Sequence, residues 1–161
     1  MLLGILSDTH DRLDRTACAV ELLRTRGAVA LIHCGDLTSP EIVQACMSLP
    51  TTYVFGNNDD RLDELRQAIE ATGGQNLEWG GILALAGKRI AVTHGHLSTM
   101  YRHLIAEQPD YFLFGHSHFA LDERDGPTRH INPGALHRAA SYSVALLDLD
   151  RDEVTFLAVP A

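Results

Sequence analysis

The sequence predicts an α/β domain in which two β-sheets pack face to face and helices cover their outer sides. Two observations lead there. From Leu2 to Ala71 short apolar runs alternate with segments of helical periodicity, whereas from Tyr111 onward the apolar runs follow one another through short turns. Strand–helix units thus give way to hairpins. A third observation bears on function: five apolar runs stop abruptly at Asp, Asn or His. With 161 residues, 45% of them hydrophobic, the chain suits a single domain over residues 1–161 that buries roughly two thirds of its unfolded surface.

Leu2–Leu6 reads as the first strand and delivers Ser7-Asp8-Thr9-His10 to its end. A helix follows, with Leu13, Ala17, Val20 and Leu23 along one face, Asp11 capping its start and Gly27 stopping it. Val29–Cys34 is a buried strand, too short for a helix, that ends in Gly35-Asp36. Ser39-Pro40 pairs a capping residue with proline at the first helical position, opening a short helix with Ile42, Val43 and Cys46 inward and Pro50 beyond it. Thr51–Phe55 is a third strand running into Gly56-Asn57-Asn58-Asp59, and Asp60–Ala71 is a third helix with Leu62, Leu65 and Ile69 inward. Ile82–Ala86 and Arg89–Thr93 lie close enough across Gly87-Lys88 to form a hairpin, whose second strand runs into His94-Gly95-His96. One more helix fits Ser98–Glu107, closed by Pro109. Tyr111–Phe114 leads into Gly115-His116-Ser117-His118, and Phe119–Arg124, Thr128–Ile131, Tyr142–Leu149 and Val154–Val159 complete the β half.

The formal net charge of −8 argues against a broad basic face for duplex nucleic acid or an acidic membrane. Phosphate chemistry stays open, because two divalent cations over Asp8 and Asp36 would reverse the sign locally. No run is long enough to span a bilayer and no basic leader precedes Leu2–Leu6, so a cytoplasmic protein is expected. Cys18, Cys34 and Cys46 form no CxxC pair and are expected as reduced core residues.

The candidate metal ligands stand at the strand ends. Asp8 and His10 are two residues apart, as are His116 and His118; Asp36 has two oxygens to share between cations, Asn57 offers a neutral oxygen and His94 a further imidazole. Oxygen and imidazole donors without a thiolate suit manganese, iron, zinc or nickel, and the imidazoles argue against a site built for magnesium. The other histidines His33, His103, His130 and His137 are expected as packed or surface residues. Dinucleotide, P-loop, serine-elbow and zincin motifs are absent. Ser117 has no acidic partner or oxyanion loop that would make it a nucleophile.

Taken in order, Asp-x-His, Gly-Asp, Gly-Asn-x-Asp, His-Gly-His and Gly-His-x-His resemble the blocks of the calcineurin-like metallophosphoesterases, specifically their small prokaryotic single-domain phosphodiesterases. Asn132-Pro133-Gly134 also resembles the late turn of that branch. The resemblance implies a four-layer αββα sandwich of two mixed β-sheets flanked by helices. It implies that Asp8, His10 and His118 hold one metal, that Asn57, His94 and His116 hold the other, and that Asp36 bridges them, with manganese the expected ion. The implied activity is hydrolysis of a small phosphodiester by a hydroxide held between two divalent metals.

Many members of the wider superfamily carry histidine where this chain has Asn58, and asparagine donates a hydrogen bond but no proton at neutral pH. His96 is the expected substitute, so His96 and Asn58 are the candidate catalytic residues. Without a proton donor, substrates with good leaving groups are favoured. Arg12 stands close enough behind the first block to reach a phosphate, and Asp59–Arg61 to rim the pocket. Two alternatives follow from the same resemblance. One is a non-catalytic interaction module like the retromer scaffold subunit of this fold, disfavoured by the complete ligand set; the other is a phosphomonoesterase or protein phosphatase. A homodimer is compatible with the apolar content.

Overall fold

The structure, a computed structural model, describes residues 1–161. In chain order the elements are β1 (Leu2–Leu6), α1 (Leu13–Thr25), β2 (Ala30–His33), α2 (Pro40–Cys46), β3 (Thr51–Tyr53), α3 (Leu62–Ala71) and β4 (Gln75–Asn76). There follow β5 (Gly80–Leu85), β6 (Lys88–Thr93), α4 (Ser98–Ala106), β7 (Tyr111–Leu113), β8 (Ala120–Asp125), β9 (Thr128–Pro133), β10 (Ser143–Asp148) and β11 (Glu153–Ala158). One sheet has the order β11-β10-β1-β2-β3-β4 and the other β5-β6-β7-β9-β8. Both are mixed: β1 to β4 run parallel while β10 is antiparallel to β1, and β6, β7 and β9 run parallel between antiparallel edges.

Period-two alternation along the strands builds the layers. Leu3 and Ile5 of β1 face inward with Ile32, Val92, Leu113 and Leu147, forming the core between the sheets. Leu6 and Leu31 face the other way and pack under Val20, Leu23, Ile42, Val43, Leu65 and Ile69 of α1, α2 and α3. On the far side Ala91 and Phe112 meet Leu104 of α4. Helix, sheet, sheet, helix is the expected four-layer sandwich. No helix is long and apolar enough to cross a membrane.

Several local expectations need correction. The buried face of α1 is Thr16, Ala19, Val20 and Leu23, while Leu13 and Ala17 are exposed. Thr16 can turn inward because its hydroxyl is spent on the Arg12 carbonyl at 2.9 Å. Asp11 does not cap this helix; it sits in the left-handed region at φ 57° and Arg12 takes the cap position. The third helix, α3, begins after Arg61 rather than at Asp60. Ser39 holds the cap position of α2 without a side-chain bond. The hairpin turn is Ala86-Gly87 rather than Gly87-Lys88, both residues having positive φ as a tight hairpin of this hand requires. Cys34 and Cys46 are buried, but Cys18 is exposed on the outward side of α1.

Candidate metal centre

Because β1, β2 and β3 are parallel, and β6 and β7 likewise, their carboxyl ends deliver five loops to one rim of the sandwich. The backbone there is unusual. Five of the seven expected ligands lie in the left-handed region: Asp8 (φ 55°), His10 (41°), Asp36 (56°), His116 (66°) and His118 (62°). Each such non-glycine residue costs about 1–2 kcal/mol, and conformations of this kind persist where surrounding bonds over-determine them. Here the Asp8 N–H donates to the Gly35 carbonyl at 3.0 Å, His10 N–H to Asp36 at 3.1 Å, and Gly115 N–H to His94 at 3.1 Å. Two glycines permit the close approach of the loops: a Cβ on Gly56 would stand 2.1 Å from Asp36 Oδ1, and one on Gly115 1.9 Å from Ser7 Oγ.

The side chains converge from these loops. His118 Nε2 lies 3.1 Å from Asp8 Oδ1, and His94 Nε2 lies 3.9 Å from the same oxygen. Asp36 Oδ2 stands 3.2 Å from His10 Nε2 and 3.4 Å from His94 Nε2. Ligand atoms of Asp8, His10 and His118 fall within 4.8 Å of one another, as do those of Asp8, Asp36 and His94. Asp8 and His94 are fully buried, yet Asp8 Oδ1, His10 Nε2 and His94 Nε2 have no hydrogen-bond partner. Buried polar atoms are almost always paired, so an orphaned trio aimed at one place fits divalent metal. The remaining ring nitrogens are fixed as ligating histidines require: His94 Nδ1–H donates to the Cys34 carbonyl at 2.8 Å and His118 Nδ1–H to the Arg138 carbonyl at 3.3 Å. His116 stands edge-on to His94 with ring centroids 5.1 Å apart.

Charge follows geometry. Burial alone would raise the Asp36 carboxyl, but the His10 and His94 imidazoles beside it and the Asn58 backbone N–H hold it far below the usual range. Burial lowers His94, and the neighbouring carboxylates of Asp36 and Asp8 more than reverse this. His33 behaves oppositely. Burial, then the charge of His94, depresses it to about 3. Its Nδ1 accepts the Gly35 N–H at 3.2 Å, so Nε2 carries the proton toward Thr9 Oγ1 at 3.1 Å, and the ring braces the loops as a neutral group.

Supporting residues complete the rim, and two of them escaped the sequence reading. Asp59 is a brace, not a rim residue: it is buried and accepts the backbone N–H groups of Asp36 (3.0 Å), Thr38 (2.7 Å) and Gly56 (2.7 Å). Burial pushes its carboxyl up to about 6 against those bonds. His137 is no mere surface residue. With Arg138 it joins His10, Asp36, Asn57, Asn58, His116 and His118 around a wholly polar cleft of about 360 Å³. His137 and Arg138 lie just beyond Asn132-Pro133-Gly134 in the chain. Asn132 itself donates to the Gly115 carbonyl at 2.8 Å and to Ser117 Oγ at 3.1 Å, tying β9 to the Gly115–His118 loop.

Both candidate catalytic residues stand beside the ligands. Asn58 gives its backbone N–H to Asp36 Oδ1 at 2.9 Å and its side-chain amide to Asp36 Oδ2 at 2.7 Å, so it orients that carboxylate. His96 stands beside two of the ligands, its ring centroid 5.4 Å from that of His94 and 6.2 Å from that of His116; it also packs edge-on to Trp79 at 5.9 Å and leaves Nδ1 buried without a partner. Burial, followed by the charges of His94 and His116, lowers its pKa. Arg12 reaches the rim indirectly, its Nε donating to His137 Nδ1 at 3.2 Å.

Comparison with known proteins agrees with this geometry. A phosphodiesterase of Methanocaldococcus jannaschii, MJ0936, is 26% identical over 159 residues, covering 95% of this chain and 96% of its own. The solved structure of an archaeal phosphodiesterase superposes with a TM-score of 0.89 at 25% identity, covering 98% and 99% of the two chains. Vps29 from Entamoeba histolytica, solved with zinc, matches at a TM-score of 0.65 and 19% identity over 98% of this chain and 91% of its own, which shows shared fold alone. The calcineurin-like phosphoesterase superfamily domain matches residues 1–152. With that match over nearly the whole chain, and with the ligand types gathered at one rim, this protein belongs to the calcineurin-like phosphoesterase superfamily, whose metallophosphoesterases use divalent metal ions.

Proposed function

We propose that this protein hydrolyses small phosphodiesters with two divalent metal ions, manganese the expected activator. The observation that supports this best is the trio of buried, unpartnered atoms, Asp8 Oδ1, His10 Nε2 and His94 Nε2, beside a cleft with no apolar wall. In this reading Asp8, His10 and His118 hold one ion, Asn57, His94 and His116 the other, and Asp36 is shared. Asp36 Oδ2 suits the shared role because it stands 3.2 and 3.4 Å from an imidazole of each set, a more even division than the 3.1 and 3.9 Å around Asp8 Oδ1.

When bound, two such ions activate water near neutral pH, grip the phosphate oxygens and neutralise developing charge. The chain's own groups prepare that site. Asn58 holds both oxygens of Asp36, the backbone carbonyls of Cys34 and Arg138 turn His94 and His118, and the polar cleft admits water. Neither candidate catalytic residue is set to release a proton at neutral pH: Asn58 is engaged with Asp36, and burial together with neighbouring positive charge lowers His96. Diesters with good leaving groups are therefore the favoured substrates. The complete donor set argues against the scaffold alternative.

The test is hydrolysis of bis(4-nitrophenyl) phosphate beside 4-nitrophenyl phosphate, with manganese, with chelator and with Asp36→Asn. Diester turnover should exceed monoester turnover, vanish in chelator and fall by about 10³-fold in the variant. Folded, metal-loaded protein that turns over neither ester would support the scaffold, and faster monoester turnover would support a phosphatase.

A further inference from the structure

One wall of the metal cleft continues past the ligands. His116, His118 and Arg138 also line a second cleft of about 440 Å³, whose other walls are Ser117, Phe119, Ala139 and Ala140. Phe119 follows His118 directly and is 75% exposed, more than Leu13, Val29, Met47 or Phe156.

A single exposed aromatic means little alone, but three features around Phe119 give it a use. Its position is held, because its N–H donates to Ser117 Oγ at 3.4 Å and that oxygen also accepts Asn132 Nδ2 at 3.1 Å. Arg138 lines the same cleft, in the left-handed region at φ 46°. The Arg138 carbonyl orients His118 at 3.3 Å, while its exposed guanidinium joins no ion pair. Finally Ala139 and Ala140, which also line the cleft, are small and add little bulk to its wall. A flat apolar face and a free guanidinium, both bordering a phosphate-handling centre, match a phosphate ester that carries an aromatic ring.

Resting on the phosphodiesterase reading above, we infer that this second cleft receives one ester arm of the substrate and that the arm bears an aromatic ring, stacked on Phe119 while Arg138 pairs with the phosphate. Phe119 and Arg138 are then specificity-determining residues. The ring belongs to a nucleoside or to a simple aryl ester, which share this chemistry and differ in reach.

Calorimetric titration of the manganese-loaded protein with adenosine 5′-monophosphate, phenyl phosphate and ribose 5-phosphate tests the inference. One or both ringed compounds should bind about tenfold more tightly than ribose 5-phosphate, since stacking of a base on an aromatic side chain is worth about that much or more. The tighter of the two identifies the source of the ring. Phe119→Ala should bring the ratio close to one and Phe119→Trp should keep it, while Arg138→Ala should weaken all three phosphates together. Equal binding of the three by the wild type, or an advantage that survives Phe119→Ala, overturns the inference. Because binding is read here, that failure stands apart from a failure of diester turnover, which would overturn the function itself.

Discussion

Two clusters of charge in this protein are built in opposite ways. At the ligand rim, Asp8, Asp36 and His94 are almost wholly buried, and Asp8 and His94 leave polar atoms without partners. At the second cluster, where β8 and β9 meet the turn between β10 and β11, every charge is answered. Arg129 binds both oxygens of Asp122 at 2.7 and 2.8 Å and Asp152 Oδ1 at 2.7 Å, Tyr111 donates to Asp152 at 2.9 Å, and Arg124 completes the set. Density of charge is similar in the two places; unfilled bonding capacity distinguishes them. A self-satisfied network stabilises modestly, whereas buried unpaired groups are tolerated only where something else is meant to fill them.

The sharpest way to break this contrast is to damage the ligand rim from behind. Asp59→Ala strips the acceptor from three backbone amides and should lower folding stability by about 3 kcal/mol. It should also weaken metal affinity by about 10- to 100-fold, as loss of a residue supporting metal ligands does. Denaturant melts and metal titration would check both, and wild-type metal affinity in this variant would deny Asp59 its bracing role.

An effect spread over pH, and absent near neutrality, should separate His33 from the ligands. Its folded pKa of about 3 lies below the unfolded value near 6.5. Its contribution is therefore complete above pH 6.5 and lost as pH falls toward 3, at about 1.4 kcal/mol per pH unit. His33→Gln removes this slope, so the stability of wild type relative to the variant should decline steadily over that window. Parallel pH profiles for the two proteins would show that His33 does not titrate with folding.

The smallest effect belongs to the satisfied cluster. Asp152 is about two-fifths exposed, so Asp152→Asn should cost at most about 1 kcal/mol and leave diester turnover as it was. A loss of turnover would link this edge of the sandwich to the site.

The ligand rim was legible because metal-binding residue types ended apolar runs at five places, and parallel strands must bring such ends together. The layers were legible for a similar reason, since Leu3 and Ile5 alternate with Gly4 and Leu6. What stayed hidden depended on contacts far apart in the chain. Asp59 serves Thr38 across 21 residues and His137 meets Arg12 across 125, so neither announces itself locally. The face of α1 was misread because Thr16 satisfies its hydroxyl within the helix, and the two residues of β4 are too few to show a period.

The most direct test of the central claim is to count metal. After loading with manganese and removal of free ion, the wild type should retain two ions per chain. Asp36→Asn, shown to be folded by circular dichroism, should retain one or none. A wild type that holds at most one ion, or a variant that keeps both, would contradict a site built on a shared Asp36.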